Sequence, residues 1–428
     1  MLILIHSATN KDTISDSLGQ AEYSYYFVLK EYRPVLETIG TVVEIRDPAR
    51  EVDAQYRAAR KRGQACIFLS FSPPHHTQLK LECPTVPVFA WEFSSIPDQP
   101  WGGNELNDWR IPLSRLGCAI THSSFTVEVV RKAMGTDFPV VSVPAPVWDR
   151  FAAISSCLPA SPLADGVELV VDGLVLDSRD INLQAYAPKM YRTGTQVPLD
   201  RPAQPSTLRL DGVIYTSVLN PNDGRKNWED LLGVFCWHFR DVEDATLVLK
   251  ITFKDAELIL REILHHIYMQ TPIKCRVVLI HGFLSDPDYE RLVQATSYVV
   301  NSSHGEGQCL PLMEFMACGK PGIAPLNTAM LDYITPQNAF PIECGHEPTF
   351  WPHDPRQAFR TLRYPINWDS LLAAYRDSYE VAKNNPERYA SLSEQARIGL
   401  RDFCSQDLAK ERLQAFFSSI LATRQEPA

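Results

Sequence analysis

Residues 304–321 read HGEGQCLPLMEFMACGKP, and the fold of the whole chain turns on this stretch. Gly305 and Gly307 flank Glu306, which predicts a loop whose backbone takes turn geometries closed to other residues. Pro311 stands where a helix can begin, because the first turn has no use for the amide hydrogen that proline lacks. Leu312, Phe315 and Met316 follow at helical spacing. Gly319 and Pro321 end the run. The spacing predicts a helix over 311–318, about 12 Å long. Its amino end would leave the amides of Gly307, Gln308, Cys309 and Leu310 free at the positive pole of the helix. That is an anion site suited to a phosphate or diphosphate.

Two carboxylates bracket this site. Glu306 precedes the helix and Glu314 lies near its first turn. A carboxylate beside a phosphate-binding helix end needs a partner of its own. Sugar hydroxyls serve, because an ionised Glu only accepts hydrogen bonds. The pattern points to a sugar at Glu306, a diphosphate at the amides and a ribose at Glu314. The plain alternative is a capped surface helix with two solvated glutamates. The glycines, Pro311 and the strand-like SYVVNSS just before them weigh against it.

GEGQCLPLMEFMACGKP resembles the E-x7-E motif of retaining GT-B glycosyltransferases of the family-4 type, with Glu306 and Glu314 in the two acidic places. HGFLSDPDYERLVQATSYVVNSS is similar to that family's strand, acidic turn, helix and strand. Gln308 and Cys309 stand where family members usually carry an aromatic residue and a glycine. The resemblance implies an α/β, GT-B fold, with two Rossmann-like domains facing a central cleft. It implies a hexosyltransferase that moves a sugar from a nucleotide-diphosphate donor, with retention and without a metal. The nucleotide sugar is then a substrate, and no cofactor is expected. The acceptor would be a glycan, a lipid-linked or another hydroxyl compound, as in polysaccharide or glycoconjugate biosynthesis.

The family's phosphate-binding arginine and lysine stand six residues apart. Here Lys226 takes the lysine place, Asn220 stands six residues earlier, and Arg225 is the neighbouring charge. A basic pair at a loop tip is the plain alternative. Lys250, near the end of the strand-like ATLVLKITF, is a further donor contact.

The remaining composition agrees with a soluble globular protein. The 428 residues suffice for two domains with separate cores. Hydrophobic residues make up 45% and charged residues 21%. A formal net charge of −10 argues against a general nucleic-acid binder, which needs a basic footprint. No apolar run approaches the length of a membrane span. The opening MLILIHSATN reads as a buried strand rather than a signal peptide. Ten scattered cysteines without a C-x-x-C pair suit reduced thiols in a cytoplasmic protein, with at most peripheral contact at the inner face of a membrane.

Strand-like and helical segments alternate from the first residue, which predicts a parallel sheet covered on both faces. The resemblance implies that residues 1–150 form the acceptor domain, and 208–395 the donor domain. Between them, 151–207 reads as a linker or insertion with a β-hairpin at its centre. The resemblance implies that residues 396–428 cross back to the first domain as a helix, and the last few residues are expected to be a disordered tail. Ligands of such sheets gather beyond the carboxyl ends of the strands. That makes the loop holding Gly19, Glu92 and His122 the acceptor-side candidates. For Glu92, contact with an acceptor hydroxyl and simple fixing of its loop stand side by side. His122 reads as a helix-start or core histidine more than a base. Asp286-Pro-Asp288 spells D-x-D, but a proline at a helix start makes Asp286 an N-cap rather than a metal ligand. Two other functions remain open. One is an epimerase or phosphorylase on the same architecture. The other is a sugar-nucleotide-binding subunit without catalysis.

Overall fold

The computed structural model describes residues 1–9, 23–155, 161–352 and 354–423. The first domain opens with β1 (Leu2–Ser7), α1 (Tyr23–Ile39), β2 (Thr41–Glu44), α2 (Pro48–Lys61) and β3 (Cys66–Phe71). It continues with β4 (Thr85–Phe89), α3 (Arg110–Leu116), β5 (Ala119–Thr121), α4 (Ser124–Met134), β6 (Val140–Ser142) and α5 (Trp148–Ser155). The six strands pair in parallel in the order β2-β1-β3-β4-β5-β6. Helices cover both faces of the sheet, so its central strands are continuous apolar runs rather than alternating ones. Every residue of β3 is buried, and Leu2, Ile3, Leu4 and Ile5 of β1 are too. Truncating one such residue, Ile5→Ala for instance, costs about 2–5 kcal/mol because a close-packed core cannot refill the space.

The second domain runs from β7 (Ala164–Asp177) and β8 (Ser206–Leu219) through α6 (Trp228–His238), β9 (Ala245–Ile251), α7 (Glu257–Gln270) and β10 (Arg276–Phe283). Then come α8 (Asp286–Ala295), β11 (Tyr298–Val300), α9 (Leu310–Ala317), β12 (Gly322–Pro325) and β13 (Ala339–Ile342). A short hairpin, β14 (Glu347–Thr349) with β15 (Thr361–Arg363), precedes α10 (Trp368–Asn384), α11 (Pro386–Cys404) and α12 (Gln406–Thr423). The segment NTAMLDYI makes only a 3-10 turn, Thr328–Asp332, where the sequence suggested a helix. The cap of α8 is Ser285, whose hydroxyl accepts from the amide of Asp288. Asp286 is the first helical residue and not the cap.

The hairpin expected inside 151–207 is not there. The dipeptide Asp172-Gly173 is a turn signal, yet β7 runs straight through it. At that point β7 exchanges one partner for another. Its first half pairs antiparallel with β8, up to Val171 opposite Ser206. From Asp172 onward it pairs with β10. Strand β8 makes the complementary exchange at Gly212, which has φ +87°, and from Val213 it pairs with β9. The four strands β7, β8, β9 and β10 therefore close on one another, beside the parallel run β8-β11-β12-β13.

The two domains touch along the carboxyl ends of their sheets. The last two helices, α11 and α12, return to the first domain. The Trp148 indole N–H donates to the Arg397 carbonyl at 2.9 Å, and Arg412 donates to the Ser142 carbonyl at 3.1 Å. Leu413 and Phe417 of α12 are buried in the core that also holds Ile3 and Tyr32. On the far side, the β14–β15 hairpin lies on the loop after β4. The Trp351 indole donates to the Ser95 carbonyl at 3.1 Å, the Ser95 hydroxyl to the Arg360 carbonyl at 3.0 Å, and the Leu362 amide to Ser94 Oγ at 3.0 Å.

Candidate active site

The loop after β8 builds the basic side. Asn220 Oδ1 accepts from the Asn222 amide at 3.0 Å, which folds the chain back on itself. Asp223 Oδ1 then accepts from the Arg225 amide at 3.1 Å, and Gly224–Lys226 form a 3-10 turn. Asn227, in the left-handed region at φ 49°, starts α6. Arg225 and Lys226 are thereby held at the strand end. Asn220 shapes this turn.

The loop after β11 builds the acidic side. Asn301, Ser302 and Ser303 leave the sheet buried, and Glu306 follows with 4% exposure. Glu306 Oε1 accepts from Lys226 Nζ at 2.7 Å, Ser303 Oγ at 2.6 Å and Asn301 Nδ2 at 3.2 Å. Its own amide donates to Thr328 Oγ1 at 2.8 Å. Burial is the largest influence on this carboxyl and opposes ionisation. Lys226, Arg225 and the hydroxyl of Ser303 together outweigh it, and the pKa falls below the usual value. Lys226 shows the mirror image: burial opposes its charge, Glu306 favours it, and its pKa ends above the usual value.

Arg225 ties the two domains together. Its guanidinium lies 2.6 Å from Glu92 Oε1, 2.9 Å from Asp223 Oδ2 and 4.0 Å from Glu306 Oε2, and donates to the Gly305 carbonyl at 3.1 Å. Glu92 belongs to the loop after β4 in the first domain. Burial raises its pKa more than Arg225 lowers it. Two cations thus face three carboxylates in a half-buried cluster where the two domains meet, with Glu306 its most buried member.

Gly305 and Gly307 are needed for close approach rather than for turn geometry. Neither has a positive φ. A Cβ on Gly307 would stand 2.7 Å from Cβ of Ala90, and one on Gly305 would stand 2.9 Å from the Glu92 carbonyl. Only bare backbone lets this loop press on the end of β4. The left-handed residue is instead Cys309, at φ 63°, which caps α9. The helix starts one residue earlier than the spacing suggests, with Pro311 in its first turn. Among the described residues, no acceptor takes the amides of Gly307, Gln308, Cys309 or Leu310.

The other expected site residues lie around this centre. Glu314 is on the second turn of α9 and accepts from the Tyr289 hydroxyl at 2.6 Å. Burial pushes its pKa up to about 7, with Tyr289 opposing. Lys250, at the end of β9, donates to the Ile251 carbonyl at 3.2 Å, and burial alone brings its pKa down to about 8. His122 is wholly buried after β5, and Ser123 is the residue that caps α4. Gly19 lies outside the described residues. Sequence reasoning missed Asp223, Asn301 and Ser303. The polar run Asn301-Ser302-Ser303 directly after an apolar strand was the available signal. Among the described residues no group of three or more His, Cys, Asp or Glu side chains is placed to hold a metal ion. No helix among them is long and apolar enough to cross a membrane.

No protein-family model matches the chain, and no curated protein matches it in sequence. Its architecture is nevertheless shared with solved structures. Sucrose-phosphate synthase from Thermosynechococcus elongatus is 14% identical, with 99% of each chain covered and a TM-score of 0.56. A glycosyltransferase from Rickettsia africae is 13% identical over 98% of each chain, with a TM-score of 0.55. HepE from Anabaena, solved in complex with UDP, is 11% identical over 98% of this chain and 100% of its own, with a TM-score of 0.55. The chain has the GT-B fold, two α/β domains with parallel sheets facing a cleft.

Proposed function

We propose that the protein is a glycosyltransferase that takes a sugar from a nucleoside-diphosphate donor and transfers it to a hydroxyl acceptor, with retention and without a metal. The observation that carries this reading is the half-buried cluster of Lys226 and Arg225 on the buried Glu306, beside the free amides at the amino end of α9. It stands in the cleft of a fold shared with glycosyltransferases. The solved complex of a similar structure with UDP makes a uridine nucleotide the first donor to try.

In this reading the bond between the anomeric carbon and the diphosphate oxygen breaks, and the acceptor oxygen bonds to the same carbon. The acceptor's proton passes to the departing diphosphate. Negative charge grows on that leaving group, so preorganised donors aimed at it are the effective catalysts. The amides of Gly307–Leu310 and the ammonium of Lys226 supply them. Lys226 is shared between Glu306 and the diphosphate, so donor binding loosens the ion pair seen here. Glu306 is then free to hold hydroxyls of the donor sugar and to face the positive ring. Glu314 takes the ribose with the carboxylate oxygen that Tyr289 leaves open. Lys250 lies on the donor side, and Glu92 contacts the acceptor hydroxyl. The acceptor is a glycan, a lipid-linked or another hydroxyl compound, and the reaction takes place in the cytoplasm or at the inner face of a membrane.

Thermal shift against UDP, GDP and ADP sugars tests the reading, because a ligand of the native state raises its apparent stability by mass action. One nucleotide sugar should stabilise the protein, and transfer from it should persist in EDTA. Loss of transfer in EDTA with recovery on adding manganese would remove the charge-stabilising role from Lys226. No stabilisation by any nucleotide sugar would overturn the whole reading.

A further inference from the structure

The loop 305–308 spans the end of one strand of the other domain. Gly305 and Gly307 press on Glu92 and Ala90 after β4, and the Ala145 amide beyond β6 donates to Gln308 Oε1 at 2.6 Å. In the sheet, β5 lies between β4 and β6. Neighbouring strands are about 4.8 Å apart, so the loop's two contacts stand roughly 10 Å apart, on either side of the end of β5. The first residue after β5 is His122.

Both side chains at this crossing have one end anchored and the other without a partner among the described residues. His122 Nδ1 lies 2.9 Å from the Val143 carbonyl. A carbonyl only accepts, so Nδ1 carries the proton. Burial drives the pKa of His122 down to about 4, so the ring is neutral. Its Nε2 is therefore an acceptor, and it has no donor although the residue is 0% exposed. Gln308 is 5% exposed. Its Oε1 is fixed by a backbone amide that can only donate, so its Nε2 is the free end, a donor without an acceptor. The two anchors, the oxygen of Val143 and the amide of Ala145, are two residues apart. In extended chain such groups fall on one edge. An unmet polar group in the interior is destabilising, and here two of opposite sense are held on either side of one strand end.

We infer that His122 and Gln308 form a subsite for one hydroxyl group of the donor sugar, which donates to His122 Nε2 and accepts from Gln308 Nε2. The donor sugar is the fitting source because Gln308 lies between Gly307 and Cys309, whose amides are offered to the diphosphate that carries that sugar. Neither residue touches the reacting bond in this arrangement. They are specificity determinants, and the inference rests on the nucleotide-sugar reading above.

The test is calorimetry with UDP and UDP-glucose on wild type, His122→Asn and Gln308→Met. Asparagine can keep the bond to Val143 while removing the ring's far nitrogen. Methionine keeps most of the glutamine volume without its amide. A neutral hydrogen bond is worth about 0.5–1.5 kcal/mol, so each variant should bind UDP-glucose roughly 2- to 12-fold more weakly. Both should bind UDP within twofold of wild type, and unfolding temperatures within a few degrees of wild type would show intact folds. Equal losses for UDP and UDP-glucose would assign the pair to the phosphates or to the fold. Unchanged affinity for both ligands in both variants would mean that the pair holds only water. Either result overturns the inference. If wild type binds none of UDP-, GDP- or ADP-glucose, the nucleotide-sugar reading falls first and takes this one with it.

Discussion

Glu92→Gln should make the protein bind UDP more tightly and work less well. Arg225 and Lys226 face Glu92, Asp223 and Glu306, so the cluster carries one excess negative charge where a diphosphate is expected to bind. Removing the charge of Glu92 removes a repulsion and frees the guanidinium it holds at 2.6 Å. With a phosphate charge about 7 Å away and an effective dielectric constant of about 40, the relief is roughly 1.2 kcal/mol per unit charge. That is about a sevenfold gain in affinity, and an upper figure where salt penetrates. At 0.1 M salt the screening length is about 10 Å, so the gain should be largest in dilute buffer and shrink at high salt. Calorimetry with UDP in 50 mM and 500 mM salt reads both the gain and its salt dependence. Transfer to an acceptor should fall meanwhile, because the proposed acceptor contact has lost its charge. A variant that binds UDP more weakly than wild type in dilute buffer would refute the reasoning. It would mean that Glu92 holds Arg225 in place for the phosphates instead of competing with them.

Lys226→Met leaves Glu306 buried with Arg225 no nearer than 4.0 Å. Breaking a buried pair in this way costs about 3–5 kcal/mol, and the lower end applies because Lys226 keeps some exposure. A lower unfolding temperature and weaker UDP binding are expected, whereas Glu306→Gln should release Lys226 and bind UDP at least as well as wild type while losing transfer. Equal UDP affinity in both variants would separate Lys226 from the diphosphate. The carboxyl of Glu314 is raised from 4.5 to about 7 in the folded state. The native protein therefore holds the extra proton between these values, and this group's contribution to stability falls as pH rises through that window. Its acceptor strength toward a ribose grows over the same range. UDP affinity should rise from pH 6 to pH 8 in wild type by a step that Glu314→Gln lacks, and an identical profile in the variant would exclude Glu314 as the ribose ligand. Cys309→Gly should raise the unfolding temperature by about 1–3 °C, since a left-handed residue with a side chain costs about 1–2 kcal/mol. A fall would show that the Asn301 amide, which donates to Cys309 Sγ at 3.1 Å, matters more than the backbone.

Local periodicity made much of the fold legible. The apolar runs of β1 and β9 and the proline and glycine around α9 are short-range signals, and these elements lie within a few residues of where the sequence put them. The long hairpin was hidden because its arms, β7 and β8, are separated by residues 178–205, and because the glycine that marks a turn in most hairpins here marks a change of partner. Within the site, Glu306 and the basic pair could be named from their loops. Their ion pair joins residues 80 apart, and the Arg225–Glu92 contact joins two domains. No spacing rule reaches that far. Gly305 and Gly307 were singled out for turn geometry, whereas the demand on them is close approach. That demand comes from Ala90 and Glu92, which only the assembled cleft reveals.

The return of α12 onto the first domain bears on how the chain can be made. Leu413 and Phe417 complete a core to which Ile3 and Tyr32 belong. A ribosome delivers β1 to β6 long before α12, so the first domain emerges with an apolar face that its own residues cannot cover. The domains of most chains fold as units in order of synthesis. Here the first must wait, partly exposed, until residues 406–423 arrive.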